Sequence, residues 1–461
     1  MVALGALMLL WPAIYNGFPL LYPDSMTYLA DGTPVARALF QHHFSSYYGV
    51  RSLLYSLVLL PFHWNRTAWP VAALQALLAA WVLWLTVRAL TPRRASGNYL
   101  GLMVALSLLS SLSWYSVFIM PDVLGPLVYL AFFLVVFARN KLARWEILSL
   151  CAIACWGITA HATHLLLAAG LCGLLVLLSL FQKKHWRQRL QGVALTVAIV
   201  ALAIAVQMAL NAYLTGVPTL NIERPPYLLA RIIADGPGRL YLDQHCDRQQ
   251  WAVCAYRAKL DDDPDDFLWA PDGVYQSATE QNQTLIRNQE MPLVKAAVSA
   301  YPRLQLQHSA ANFHDQLLAY GLYGFDPSPW ILDAFPSTMP AAQASYQRSL
   351  QARGALPLEF LDSILNGSVK VSLVMIVLLL ALRVRRLSAQ LWALTVMVFT
   401  MIAANALLTG VLSVVDDRYG CRVIWMIPLL AGLLLVDLLE HRAARRESVA
   451  QHRESSNLVV Q

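Results

Sequence analysis

Residues 51–64 read RSLLYSLVLLPFHW, and how this stretch is read decides the topology of everything after it. It is apolar, but it has only 14 residues, whereas a helix needs about 20 to cross roughly 30 Å of hydrocarbon. A short apolar segment ending in Trp reads as a juxtamembrane helix, interfacial or re-entrant, and not as a span. Working outward, apolar runs that read as spans fall at 2–15, 70–90, 98–114, 121–138, 145–162, 163–181, 191–213, 369–385, 389–410 and 421–439. Basic clusters test the count. Arg88/Arg93/Arg94, Arg139/Lys141/Arg144, Lys183/Lys184/Arg187/Arg189, Arg383/Arg385/Arg386 and Arg442/Arg445/Arg446 follow spans two, four, six, eight and ten. With ten spans and a cytoplasmic N-terminus, every one of these loops is cytoplasmic, as the positive-inside rule requires. Counting 51–64 as a span would put all of them outside.

Composition agrees with this class. The chain is 58% hydrophobic and 13% charged, against about 25% charged in soluble domains. The expected fold is an all-α polytopic membrane protein of about ten transmembrane helices. The net charge of +7 sits in short loops between spans, so it reads as a topology signal and not as a nucleic-acid surface. The segment from Val2 to Ile14 has no basic n-region, so it reads as a first membrane segment and not as a cleavable signal peptide. Residues 1–213 then form an N-terminal module of about seven spans, with a first outer loop at 16–69 carrying the 51–64 helix. Residues 214–368 are polar and lack a spanning run, which is enough chain for a mainly helical outer domain. Within it, Leu228–Ile233, Met291–Val298 and Ala310–Leu322 look helical. Residues 369–439 hold three spans, and 440–461 form a cytoplasmic tail, disordered after Arg446. Cys151, Cys155 and Cys172 lie in apolar spans as packing residues. Cys246 and Cys254 lie in the large polar loop and pair if that loop is extracytoplasmic. The acidic run Asp261–Asp266 reads as a solvated turn; its spacing is not that of an EF-hand.

This topology gathers ionisable residues at one membrane level. Asp24, in Tyr22-Pro23-Asp24-Ser25-Met26-Thr27-Tyr28, follows span one. Asp122 opens span four after Pro121. His161 and His164 mark the turn between spans five and six. Asp416, Asp417, Arg418 and Tyr419 precede span ten, and Arg51 begins the juxtamembrane helix. Near-membrane ionisable groups are functional candidates by default. Each also has a plainer reading. Pro-Asp-Ser is N-cap chemistry for a loop helix, Pro121-Asp122 suits a helix N-terminus, and Arg418-Tyr419 suits a local ion pair with an interfacial anchor. The His161-x-x-His164 spacing keeps a divalent metal open, although only two histidines are local. No cofactor motif is present: there is no Walker A loop, dinucleotide fingerprint or serine elbow, and no inverted repeat of the kind many transporters show.

The order of these elements resembles the GT-C class of membrane glycosyltransferases, which use polyprenyl-phosphate sugars. The resemblance rests on Pro23-Asp24-Ser25-Met26-Thr27-Tyr28 after span one, the Arg51-Ser52-Leu53-Leu54-Tyr55 helix, Met120-Pro121-Asp122 at span four, and Arg418-Tyr419 before a last span containing Pro428. It covers most of 1–213 and 369–439. It departs in that Asp24 is followed by Ser25 where many members have a second acidic residue, and in the position of the large domain between spans seven and eight. The stretch from Tyr227 to Pro237, with Cys246 and Cys254, is similar to an uncharacterised proteobacterial membrane protein subfamily. The resemblance implies an enzyme of the bacterial inner membrane, with both termini cytoplasmic and the large loop periplasmic. It implies sugar transfer from a polyprenyl-phosphate donor to a membrane lipid or glycan acceptor, with Asp24 as general base and Asp122, the second catalytic residue, orienting a donor sugar hydroxyl or an adjacent basic group. Arg418, Arg51, His161, His164, Tyr28 and Tyr419 are the implied substrate-binding residues. Two other classes fit the same layout: a lipid-linked oligosaccharide polymerase, ligase or transporter, and a non-catalytic envelope assembly protein.

Overall fold

The structure is a computed structural model that describes residues 1–459 except 46–47, 182–185, 223, 249 and 384–386. The described residues form helices joined by turns and irregular segments, with one isolated β-bridge, Leu20 to Phe118. Among them, six helices are long and apolar enough to cross a membrane: Trp69–Leu90, Ala162–Phe181, Trp186–Thr215, Leu358–Leu382, Ala389–Leu412 and Asp417–Ala443. Their outward faces are apolar as well. On the Leu358–Arg383 helix, Val371, Val374, Val377 and Leu378 are all exposed. A helix apolar on both faces is stable only where lipid solvates the outer one. The chain is a helical membrane protein.

Four shorter apolar helices, Val2–Asn16, Leu53–His63, Ala95–Leu109 and Pro121–Phe137, include three of the ten expected spans. Each of these three is interrupted for a local reason. The first breaks at Leu10, just before Pro12, whose ring removes a backbone donor. The third stops at Ser110, whose hydroxyl bonds back to the Leu106 carbonyl. The fourth opens with a 3-10 turn, Pro121–Val123, before Leu124–Phe137 continues as α-helix. That last helix is buried on every face. It contacts the Trp69–Leu90, Arg144–Ala160, Ala162–Phe181, Trp186–Thr215 and Ala389–Leu412 helices, which makes it the central post of the bundle.

Two expectations need correcting. The tail at 440–461 does not start as coil: the last helix, Met426–Val459, runs on through it. Its Glu, Arg, Gln and Ala residues are good helix formers, and that propensity extends the preceding span. The 16–69 loop holds a second helix, Pro23–Gln41. It crosses Leu53–His63 where Gly32 lies so close to the Ser56 carbonyl that a Cβ would sit 2.6 Å from it. Lys183, Lys184, Arg385 and Arg386, among the basic residues assigned to cytoplasmic loops, lie outside the described residues.

The 214–368 stretch divides into two parts. Residues between Leu229 and Ala297 build a small separate core from Leu229, Ile233, Phe267, Ile286 and Leu293. Residues from Leu322 to Leu356 join the main core instead. There Phe335 and Tyr346 stack at 5.0 Å and meet Phe18 edge-on. Gln351 clasps the chain after the first helix: its Nε2 donates to the Leu21 carbonyl, its Oε1 accepts from the Leu21 amide, and its own amide donates to Asn16 Oδ1. Between the two parts, the Pro302–Leu318 helix lies along the Ala389–Leu412 helix.

Candidate functional site

Backbone ties bring distant loops to one level. The Leu20 amide donates to Val117 O, and the Ile119 amide donates to Leu20 O. The segment leading to Asp24 is thereby fixed against the segment leading to Asp122. Tyr22 is the N-cap of the Pro23–Gln41 helix, and its amide donates to Ser25 Oγ at 2.9 Å. Ser25, not Asp24, therefore supplies the capping hydroxyl. The Asp24 carboxylate faces the bundle, with Oδ1 accepting from Arg51 Nη2 at 2.6 Å and Oδ2 lying 3.9 Å from Arg418 Nη1. Arg51 is placed by its neighbour Ser52, whose hydroxyl caps the Leu53–His63 helix and donates to the Thr159 carbonyl.

Arg418 and Arg422 lie one turn apart on the Asp417–Ile424 helix. Its start is held by Asp416, which accepts from the Arg418 amide, while the Gln316 side chain makes two hydrogen bonds to the Asp416 backbone. Asp122 is 1% exposed and lies between the two guanidinium groups, 3.3 Å from Arg418 Nε and 3.7 Å from Arg422 Nη1. Arg422 also donates to Asn405 Oδ1 and Thr163 Oγ1. Tyr22 and Tyr419 lie against Arg418, and Tyr419 also against Arg422. Arg51, Arg418 and Arg422 meet Asp24 and Asp122 in this cluster, with the Asp416 carboxylate at the start of the same helix as Arg418 and Arg422. Guanidinium groups gathered in this way suit the oxygens of an anion.

Beside the cluster is a cavity of about 500 Å³. Its lining includes the polar side chains of Arg51, Tyr28, His161, Tyr227 and Tyr419. It also includes Leu165, Leu166, Ala203, Ile204, Leu408 and Leu412 from three helices long enough to span a membrane, with Gln207 and Thr409 on two of those helices. Burial pushes the Tyr227 phenol up to about 12, so it is a neutral hydroxyl able to donate at pH 7.

The structure thus brings Asp24, Arg51, Asp122, Arg418, Tyr28 and Tyr419 into one region. The histidines separate in role. His161 ends the Arg144–Ala160 helix in an extended conformation, with Nδ1 on Thr163 Oγ1, and it lines the cavity. His164 is buried, with Nδ1 on the Gly157 carbonyl and its ring against Gly125. The two rings are 5.4 Å apart, but no cluster of three His, Cys, Asp or Glu side chains suited to a metal occurs among the described residues. Asp24, Asp122 and Arg418 are not among the residues that line the cavity. Cys246 and Cys254, in the unit with the small separate core, are joined as a disulfide.

Sequence reasoning missed Arg422, Asn405, Tyr227 and Trp269. Arg422 carried a signal: an arginine inside an apolar span demands a buried partner. Trp269 carried none, since only tertiary contact sets its ring 5.5 Å from the Arg51 guanidinium.

No protein-family model matches this chain, and neither does a curated protein or a solved structure.

Proposed function

We propose that the chain is a GT-C type glycosyltransferase of the bacterial inner membrane, with ten spans, both termini cytoplasmic and the 214–368 region periplasmic. The observation that carries this reading is the composite cavity. Its lining combines Arg51, His161 and three tyrosines with apolar side chains from three candidate spanning helices. A lipid-linked anionic donor has the same two-part chemistry: a phosphate for the cations and phenols, and a hydrocarbon chain for the helix faces.

On this reading the donor phosphate engages Arg51, which releases the Asp24 carboxylate. An acceptor hydroxyl attacks the anomeric carbon. The new bond to the acceptor oxygen forms as the bond to the phosphate oxygen breaks, and the bonding pair leaves with the phosphate. Asp24 takes the hydroxyl proton; general-base help of this kind is typically worth about 10²–10⁴-fold. Arg51 stabilises the leaving phosphate. Asp122 holds Arg418 and Arg422 in place from within. The acceptor is a membrane lipid or glycan.

A second reading has one observation in its favour. Asp24 is already paired and Asp122 is sealed from the cavity, as suits a protein that only holds and moves or joins a lipid-linked glycan. The test is complementation of a deletion strain with wild type, Asp24→Asn, Asp122→Asn and Arg51→Ala, scored by envelope glycolipid mass with membrane protein level as control. The transferase reading expects deletion to remove one defined sugar mass, and Asp24→Asn and Arg51→Ala at normal abundance to fail to restore it. Full restoration by Asp24→Asn would reject Asp24 as the base and favour the second reading.

A further inference from the structure

The unit between Tyr227 and Tyr301 has its own core, yet it reaches the Arg51–Asp24 pair directly. Its Pro264–Trp269 helix ends at Trp269, whose ring centroid is 5.5 Å from the Arg51 guanidinium carbon. Tyr227, from the first helix of the same unit, lies 6.3 Å from the Trp269 ring and lines the cavity beside Arg51. The Arg51 guanidinium carbon lies over the Trp269 ring within the distance at which a cation–π attraction acts. The Arg51 side chain is thus held from two sides, by Asp24 at 2.6 Å and by Trp269.

We propose that Trp269 is a positioning residue. On this inference the outer unit, through its indole, orients Arg51 for an anionic ligand headgroup and keeps it oriented when that headgroup displaces Asp24. The inference rests on the reading of Arg51 as the donor-phosphate group. It assigns part of the donor site to a unit that folds around a separate core, so the headgroup site is complete only when that unit is seated.

The experiment titrates farnesyl phosphate onto the full-length protein in lipid nanodiscs and follows binding by calorimetry. Arg51→Ala is expected to abolish measurable binding. Trp269→Leu is expected to weaken it by about 2- to 30-fold, the range corresponding to one cation–π contact. Trp269→Phe, which keeps an aromatic face, is expected to retain most of the affinity. A purely structural role would not give this recovery. Should Trp269→Leu be poorly recovered, Trp269→Met, which also lacks an aromatic face, takes its place and is expected to weaken binding within the same range. Unchanged affinity in Trp269→Leu or Trp269→Met beside lost binding in Arg51→Ala would overturn the inference and leave the donor reading standing. Absence of binding to the wild type, or full binding by Arg51→Ala, would overturn the donor reading and this inference with it.

Discussion

Replacing Asp122 by Asn separates a structural carboxylate from a chemical one. Asp122 is 1% exposed and lies 3.3 and 3.7 Å from two guanidinium groups that are themselves buried, Arg418 and Arg422. Asparagine keeps the shape and one acceptor oxygen, but it leaves two cations with no buried countercharge beside them. Removing one partner of a buried ion pair costs about 3–5 kcal/mol, because the surviving charge is stranded. The Asp24–Arg51 pair is less deeply buried, its side chains 17% and 20% exposed, so Asp24→Asn is expected to cost less than Asp122→Asn. The assay heats detergent-solubilised protein in steps and measures the monodisperse fraction by size exclusion. Asp122→Asn is expected to lose that fraction at a clearly lower temperature than wild type, and Asp24→Asn to fall between the two. Adding Arg422→Gln to Asp122→Asn is expected to recover part of the loss, because it removes one of the stranded charges. If Asp122→Asn melts with the wild type but loses sugar transfer, Asp122 acts in the chemistry and the counter-ion argument is wrong.

Gly420 sits between the two arginines, and a Cβ there would lie 1.8 Å from the Ala319 carbonyl oxygen; Gly420→Ala is expected to lower thermal stability through overpacking worth about 1–3 kcal/mol, more than the gain of up to about 1 kcal/mol in helix propensity, and a variant as stable as wild type in the same heating assay would refute the close packing. Burial pushes the Asp31 carboxyl from the ordinary 3.8 up to about 6, against the lowering effect of the Gly49 amide. A raised carboxyl gives stability that is full below the unfolded value and is lost as pH rises through the folded one, so the melting difference between Asp31→Asn and wild type should move in favour of the variant between pH 4 and 7; a difference that is flat with pH would count against the buried charge.

Much of the architecture was legible because each residue needs a particular solvent. Runs such as Ala162–Phe181 and Ala389–Leu412 are long and apolar enough to require lipid, and no tertiary information is needed to see it. Residues 51–64 were legible as a short helix, since the apolar run ends too soon to cross, and the helix found there is Leu53–His63. The level of Asp24, Asp122 and Arg418 also follows from their positions at the ends of apolar runs. Local pattern stops there, because it reports what surroundings a residue requires and not which partner provides them. Arg418 meets Asp122 across 296 residues, and Gln351 clasps Leu21 across 330. The division of 214–368 into a separate small core and a part that joins the main core depended on which apolar faces found each other. So did the seating of Trp269 on Arg51. The sequence by itself determined that the chain carries segments apolar enough to need lipid and that its near-membrane charges needed company. Tertiary packing alone chose that company, because a buried charge is satisfied by geometry at a few ångströms, and neighbours in the chain do not supply it.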